Sequence, residues 1–170
     1  MSELDLIETE RLVLSGWRRD QLDDLVRLHG DPEISRYLGG GGTAWPREKC
    51  ASSLDSWIEL FETQRLGKLR VTRKADGVLV GRAGYGLHRG LPEIGYALYP
   101  EHQGHGYATE AAVALRDWIF RETDWPRFIG FADTRNTPSL AILRRIGMRE
   151  THQEDYEGMT CQFLALERAA

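Results

Sequence analysis

Glu93-Ile94-Gly95-Tyr96-Ala97-Leu98-Tyr99-Pro100-Glu101-His102-Gln103-Gly104-His105-Gly106-Tyr107-Ala108-Thr109-Glu110-Ala111 is the stretch on which the reading of this chain turns. Glu93 to Leu98 reads as a strand. Thr109 to Arg121 reads as an amphipathic helix, with Ala112, Leu115, Trp118 and Ile119 on one face. The turn between them carries Gly104 and Gly106. Glycines there let backbone N–H groups crowd around an anion, and a helix start adds unpaired donors and the positive end of a dipole. A diphosphate is the natural guest of such a turn. The same two glycines also suit a turn that merely connects two elements.

Other phosphate motifs fit less well. No Gly-Lys-Ser/Thr completes a Walker loop, which argues against ATP hydrolysis. A dinucleotide fingerprint wants a third glycine where Thr109 stands, and it opens a fold instead of following several strands.

Outward from this segment, strands and helices alternate. Arg11 to Leu14, Lys68 to Arg73, Val78 to Tyr85, Arg127 to Ala132, Arg149 to Glu154 and Thr160 to Glu167 read as further strands. Helical spacing marks Asp20 to Leu28 and Pro46 to Arg65. Asp31-Pro32 has the capping chemistry of a short helix, and Thr137-Pro138 opens a helix that stops at Gly147. Antiparallel strands followed by strand-helix-strand-helix-strand predict a mixed α/β sheet in one domain spanning residues 1–170. Gly39-Gly40-Gly41-Gly42 reads as a loop, either an inert tether or a movable wall beside a site.

Composition sets the frame. At 170 residues, 41% hydrophobic and 28% charged, the chain can bury one sizeable core without disulfides or metal. A net charge of −4 lacks the electrostatic footprint of a nucleic-acid binder. It leans slightly toward a cationic acceptor. No apolar run is long enough to predict a membrane span, and the acidic start, Met1 to Glu10, is unlike a signal peptide. Cys50 and Cys161 lack metal spacing and read as reduced thiols of a cytoplasmic protein. His102 and His105 are three residues apart, but no further ligand set accompanies them, so no metal is expected.

Gln103, Gly106 and Ala108 match Gln/Arg-x-x-Gly-x-Gly/Ala. Together with Thr9-Glu10-Arg11-Leu12-Val13-Leu14, Glu93-Ile94-Gly95-Tyr96, Asn136-Thr137-Pro138-Ser139 and Ile146-Gly147-Met148, they make the chain resemble the GNAT superfamily of acyl-CoA-dependent N-acetyltransferases. The branch it resembles contains the Rim-type enzymes that acetylate protein N-termini. The likeness runs from about Leu6 to Glu167. Met148 departs from it, standing where Phe is usual, and Gly39 to Gly42 is unusually glycine-rich.

The resemblance implies a GNAT-like fold, with antiparallel N-terminal strands, a splayed parallel central pair, and helices on both faces. It implies acetyl-CoA as cosubstrate: Gln103, Gly104, His105, Gly106, Tyr107, Ala108 and Thr109 would hold the diphosphate, main chain of Tyr96, Ala97 and Leu98 the pantetheine arm. Asn136 and Ser139 would lie near the arm and the sulfur. Ser139 is the candidate acid for the departing thiolate, although Thr137 and Ser139 could merely cap and begin a helix. Glu93 is the candidate base, alone or through water, or else an edge acid pairing with a neighbour such as Arg89. Tyr96 and Tyr99 could line the acceptor site or pack; Trp17, Trp45 and Trp57 suit core or pocket wall. Arg144 or Arg145 could meet the 3′-phosphate or lie on a solvated helix face. Glu110 fits the helix dipole without a catalytic role. The expected reaction is direct acetyl transfer to a primary amine, a protein N-terminus or a small molecule, by a cytoplasmic protein that could pair as a homodimer. A non-catalytic acyl-CoA-sensing module is the alternative, and a nucleotide-binding oxidoreductase is argued against.

Overall fold

The computed structural model describes residues 2–38 and 42–170, so the expected loop from Gly39 to Gly42 lies outside the described residues except for Gly42. Eight strands form one sheet in the order β1-β2-β3-β4-β5-β6-β8-β7. They are β1 (Asp5–Glu8), β2 (Leu12–Ser15), β3 (Gly67–Arg73), β4 (Leu79–His88), β5 (Leu91–Leu98), β6 (Arg127–Asp133), β7 (Arg149–Tyr156) and β8 (Met159–Glu167). The helices are α1 (Leu22–His29), α2 (Pro32–Ser35), α3 (Arg47–Gln64), α4 (Tyr107–Glu122) and α5 (Thr137–Arg145). A mixed α/β sheet with an antiparallel N-terminal half is what the sequence pattern predicted.

Local chemistry sets the element ends. The Asp31 carboxylate accepts from the Glu33 amide at 2.8 Å and Pro32 takes the first helical position, starting α2. Asn136, not Thr137, caps α5: its Oδ1 accepts from the Ser139 amide at 3.4 Å. After α5 the chain passes Gly147 at φ +99°, while the Met148 amide returns to the Leu143 carbonyl, a left-handed helix stop. Arg89 and Gly90, both at positive φ, make the two-residue turn that joins β4 to β5. The strand at Asp5–Glu8 was not anticipated. Four residues carry almost no periodicity, and the strand is fixed instead by pairing with β2 and by the Ser15 hydroxyl on the Asp5 carboxylate at 2.7 Å.

Helices cover both faces. On β4, Arg82 lies under the Trp57 ring of α3, while Tyr85 donates its hydroxyl to the Leu115 carbonyl of α4 at 2.8 Å. One core, containing Tyr85, Ile94, Leu115, Ile119 and Phe128, fills the α4 side; a second joins Trp17, Leu25, Leu28, Leu54 and Trp57 across α1 and α3.

The sheet changes character at its centre. β5 and β6 run parallel and are in register only at Glu93 and Ile129. β6 then pairs with β8 over its whole length. From Ile94 to Leu98 the β6-facing edge of β5 therefore has no strand partner among the described residues, and the sheet opens toward the start of α4.

Candidate active site

The turn from β5 into α4 holds its backbone donors free. Gly104 and Gly106 sit at φ +82° and +81°, a region that glycine enters without steric cost, and Gly106 is the N-cap of α4. The first amide of this helix with an internal partner is Glu110, which donates to the Gly106 carbonyl at 3.0 Å. None of the six amides from Gly104 to Thr109 donates to an acceptor among the described residues. Six consecutive donors at the positive end of a 16-residue helix suit a polyanion.

A clasp from the other end of the chain holds this turn. Glu110 accepts from the Thr9 hydroxyl at 2.6 Å, the Arg11 amide at 2.9 Å and Arg11 Nε at 2.7 Å. Arg11 Nη1 donates to the His105 carbonyl at 3.0 Å. Partial burial works against ionisation of Glu110, yet the hydrogen bonds from Thr9 and Arg11 hold its carboxyl below the ordinary value. The Thr9-Glu10-Arg11 motif thus shapes the turn from a distance, and Glu110 does more than complement a dipole.

Two cavities meet at this opening. The larger, about 650 Å³, is lined by Tyr96, Ala97, Leu98, Gln103, Gly104, Gly106, Tyr107, Ala108, Thr109, Asn136 and Ser139. His105 stands apart from these: it serves the turn through its carbonyl, and its ring lies 5.7 Å from that of Tyr107. Gln103 braces the turn, donating to the Leu98 carbonyl at 3.2 Å. The smaller cavity, about 300 Å³, shares Tyr96, Asn136 and Ser139 with the larger and adds Glu93, Lys68, Arg82, Lys49 and Trp45.

Where the cavities meet, Tyr96 and Ser139 form a hydroxyl pair. Tyr96 donates to the Ser139 carbonyl at 2.8 Å, and the Ser139 hydroxyl donates to Tyr96 Oη at 3.2 Å. Burial pushes the Tyr96 phenol up to about 12, so it stays protonated at neutral pH.

Glu93 does not pair with Arg89, which instead meets Glu154 at 2.6 Å. Its partner is Lys68, whose Nζ reaches Glu93 Oε2 at 2.7 Å and also donates to the Glu93 and Gly84 carbonyls. Lys68 crosses to this position over Gly95, where a Cβ would stand 2.5 Å from its Nζ. Burial lowers the Lys68 pKa, and the Glu93 carboxylate opposes that shift. Glu93 Oε1 accepts nothing from the described residues.

Lys68 and Arg82 were missed by sequence reading, because a cation inside a strand looks like a solvent-facing position. For Lys68 the available signal was Gly86 and Gly95, whose missing side chains leave room for its long one to lie across the sheet. Other residues resolve into packing. Tyr99 donates its hydroxyl to the Asp24 carbonyl, Trp17 its indole N–H to the Lys68 carbonyl, and Trp57 is core. Arg144 pairs with Glu150 across the chain reversal after α5. Among the described residues no group of three or more His, Cys, Asp or Glu is arranged to hold a metal, and no helix is long and apolar enough to cross a membrane.

Comparison with known proteins agrees with this geometry. The family model described as an acetyltransferase (GNAT) domain matches residues 11–149. The uncharacterized N-acetyltransferase YnaD of Bacillus subtilis is 40% identical over 145 residues, 84% of this chain and 82% of that protein. An acetyltransferase from Agrobacterium tumefaciens superposes with a TM-score of 0.82 at 24% identity, covering 95% of this chain and 93% of its own. The ribosomal L7/L12 α-N-protein acetyltransferase RimL, solved with coenzyme A, gives 0.81 at 17% identity over 96% and 97%. At those identities the two structures speak for the fold, while the family model and the Bacillus relative speak for kinship. The chain belongs to the GNAT acetyltransferase family and is an N-acetyltransferase that draws its acetyl group from acetyl-CoA.

Proposed function

We propose that this protein moves the acetyl group of acetyl-CoA directly onto a primary amine, with the Gly104–Thr109 amides holding the diphosphate and the open edge of β5 receiving the pantetheine arm. The observation that carries this reading is the row of amides from Gly104 to Thr109, unpaired among the described residues, five of whose six residues line the larger cavity, beside a strand edge left free by the splay of β5 from β6. Acetyl-CoA supplies an activated thioester; the chain's own groups bind, orient and handle protons.

An amine is protonated at neutral pH and must lose a proton before it attacks. Glu93 Oε1 is the available acceptor in the smaller cavity, directly or through a water, while Lys68 holds Oε2 and fixes the carboxylate. A main-chain N–H on the free edge of β5 polarises the thioester carbonyl. Ser139 is the proton donor to the departing thiolate: its hydroxyl turns about one side-chain torsion from Tyr96 Oη toward the shared opening. Demand on that donor is modest, since a thiol with a pKa of about 8.5 leaves tolerably as its anion. No covalent enzyme intermediate is needed, and both buried thiols fit a reducing cytoplasm. RimL, by its name, acts on a protein N-terminus; a small-molecule amine is the other acceptor class.

Release of free thiol from acetyl-CoA across a panel of amines and peptides tests the reading. Thiol release with at least one primary amine, abolished by Gly106→Val, is the expected result. Tight CoA binding without turnover on any amine would contradict it.

A further inference from the structure

We propose that the acceptor is a small amine carrying an oxyanion, a carboxylate or a phosphate, which Arg82 receives with help from Lys49 in the cavity that Glu93 also lines. This deepens the reading above and rests on it.

Two cations are buried beside this cavity. Lys68 and Arg82 are 8% and 4% exposed. Lys68 has its carboxylate, Glu93. Arg82 has none within ion-pair distance among the described residues, and its one hydrogen bond runs from Nε to His29 Nε2 at 3.0 Å. His29 cannot supply the missing charge. Burial, then the nearby Arg82 and Lys49, push its pKa down to about 2, so it stays neutral. Burial brings Arg82 itself down to about 10, which leaves it charged at neutral pH. Four of the five N–H donors of this guanidinium have no partner among the described residues, and Arg82 lines the cavity, where an oxyanion would answer its charge as water cannot.

The surroundings are built to meet that partner. His29 stacks on Trp45 at 3.9 Å and 8°, holding Arg82 on one side. Lys49 Nζ lies 4.3 Å from the Trp45 ring, and the buried Trp45 indole N–H has no hydrogen-bond partner among the described residues. Arg82, Lys49 and Trp45 share the 300 Å³ cavity with Glu93, whose Oε1 is open. One wall thus offers donors to an oxyanion, and the other an acceptor to an ammonium. That volume is at the small end for ligand sites and favours a compact zwitterion over a peptide. The cavity lining carries Lys49, Lys68 and Arg82 against Glu93, Asp133 and Glu157; Glu93 and Asp133 are taken by Lys68 and Arg135, so it is the Arg82 and Lys49 wall that offers itself to an anion.

The test uses the full chain and matched acceptors: an amino acid against its amide, an aminoalkyl phosphate against the amino alcohol, and peptides with free N-termini. The expected result is a kcat/KM at least tenfold higher for the anionic member of a pair, with the two pairs telling carboxylate from phosphate. In Arg82→Gln that ratio should fall toward one. Lys49→Gln, a change at a partly exposed helix position, should lower it in the same direction if Arg82→Gln does not fold. Equal turnover of both members, or faster turnover of peptides than of any anionic small amine, overturns this proposal and leaves acetyl transfer standing. No turnover with any amine overturns both.

Discussion

Replacing Glu110 by Gln asks whether the turn that lines the larger cavity is held from outside. The Glu110 carboxylate accepts from the Thr9 hydroxyl at 2.6 Å and from the Arg11 amide at 2.9 Å, with its side chain 19% exposed. Hydrogen bonds to a charged group contribute about 1.5–3 kcal/mol each. Gln keeps one acceptor oxygen and places an N–H₂ where two donors converge, so a net loss of about 2 kcal/mol is expected. For a chain of this size that is a fall in melting temperature of roughly 4–8 °C. The same clasp anchors Arg11 on the His105 carbonyl, so KM for acetyl-CoA should rise several-fold while kcat changes little. The effect has a pH signature. The folded carboxyl ionises below its ordinary value of 4.5, so in acid the folded state binds fewer protons than the unfolded chain. The advantage of wild type over Glu110→Gln is therefore full above pH 4.5 and shrinks as pH falls through the lower folded value. Differential scanning calorimetry from pH 3 to 8, with initial rates at neutral pH, reads both effects. Equal melting temperatures at pH 7, or a gap that widens on acidification, would refute the reasoning.

Gly95→Ala puts a methyl group 2.5 Å from Lys68 Nζ, the flexible end of its side chain. The fold should survive with a small change in melting temperature, but the Lys68–Glu93 pair must shift and kcat should fall by about tenfold. An unchanged kcat would remove Glu93 from the proton path. Ser139→Ala should lower kcat with little change in KM for acetyl-CoA, and the loss should shrink with acceptors assayed at high pH, where the thiolate needs no proton; full activity at every pH would dismiss the acid role. Burial, followed by nearby Asp133, pushes the Cys161 thiol up to about 11, and burial also raises Cys50. Neither should react with a thiol reagent at pH 8 until guanidinium unfolds the chain. Rapid labelling of folded protein with loss of activity would contradict direct transfer.

Much of this fold can be read from residues that act locally. Asp31-Pro32 and the glycine after α5 each carry their instruction in one or two residues, so the helix ends they set were legible. The turn before α4 was legible for the same reason: Gly104 and Gly106 announce a backbone that no other residue adopts cheaply. What escaped depends on contacts distant in sequence. The strand at Asp5–Glu8 exists because β2 pairs with it, and Glu110 is defined by Thr9 and Arg11, about a hundred positions away. Glu93 is legible as a candidate, but the neighbour the sequence offers it as an alternative, Arg89, is not the residue it meets. Arg89 is near it in sequence, whereas Lys68 reaches it only across β4 in the folded sheet. Arg82 was invisible because its meaning lies in an absent counter-charge, a property of the packed cavity and not of any motif.

The central claim is that the amides from Gly104 to Thr109 grip the diphosphate of coenzyme A. Backbone amide NMR of isotope-labelled protein, titrated with CoA and separately with pantetheine, which lacks the diphosphate, tests it most directly. The account predicts that CoA shifts those six resonances well beyond the spread of the rest, and that pantetheine leaves them in place. If CoA binds while those amides stay unmoved and another group of resonances responds, the account is contradicted.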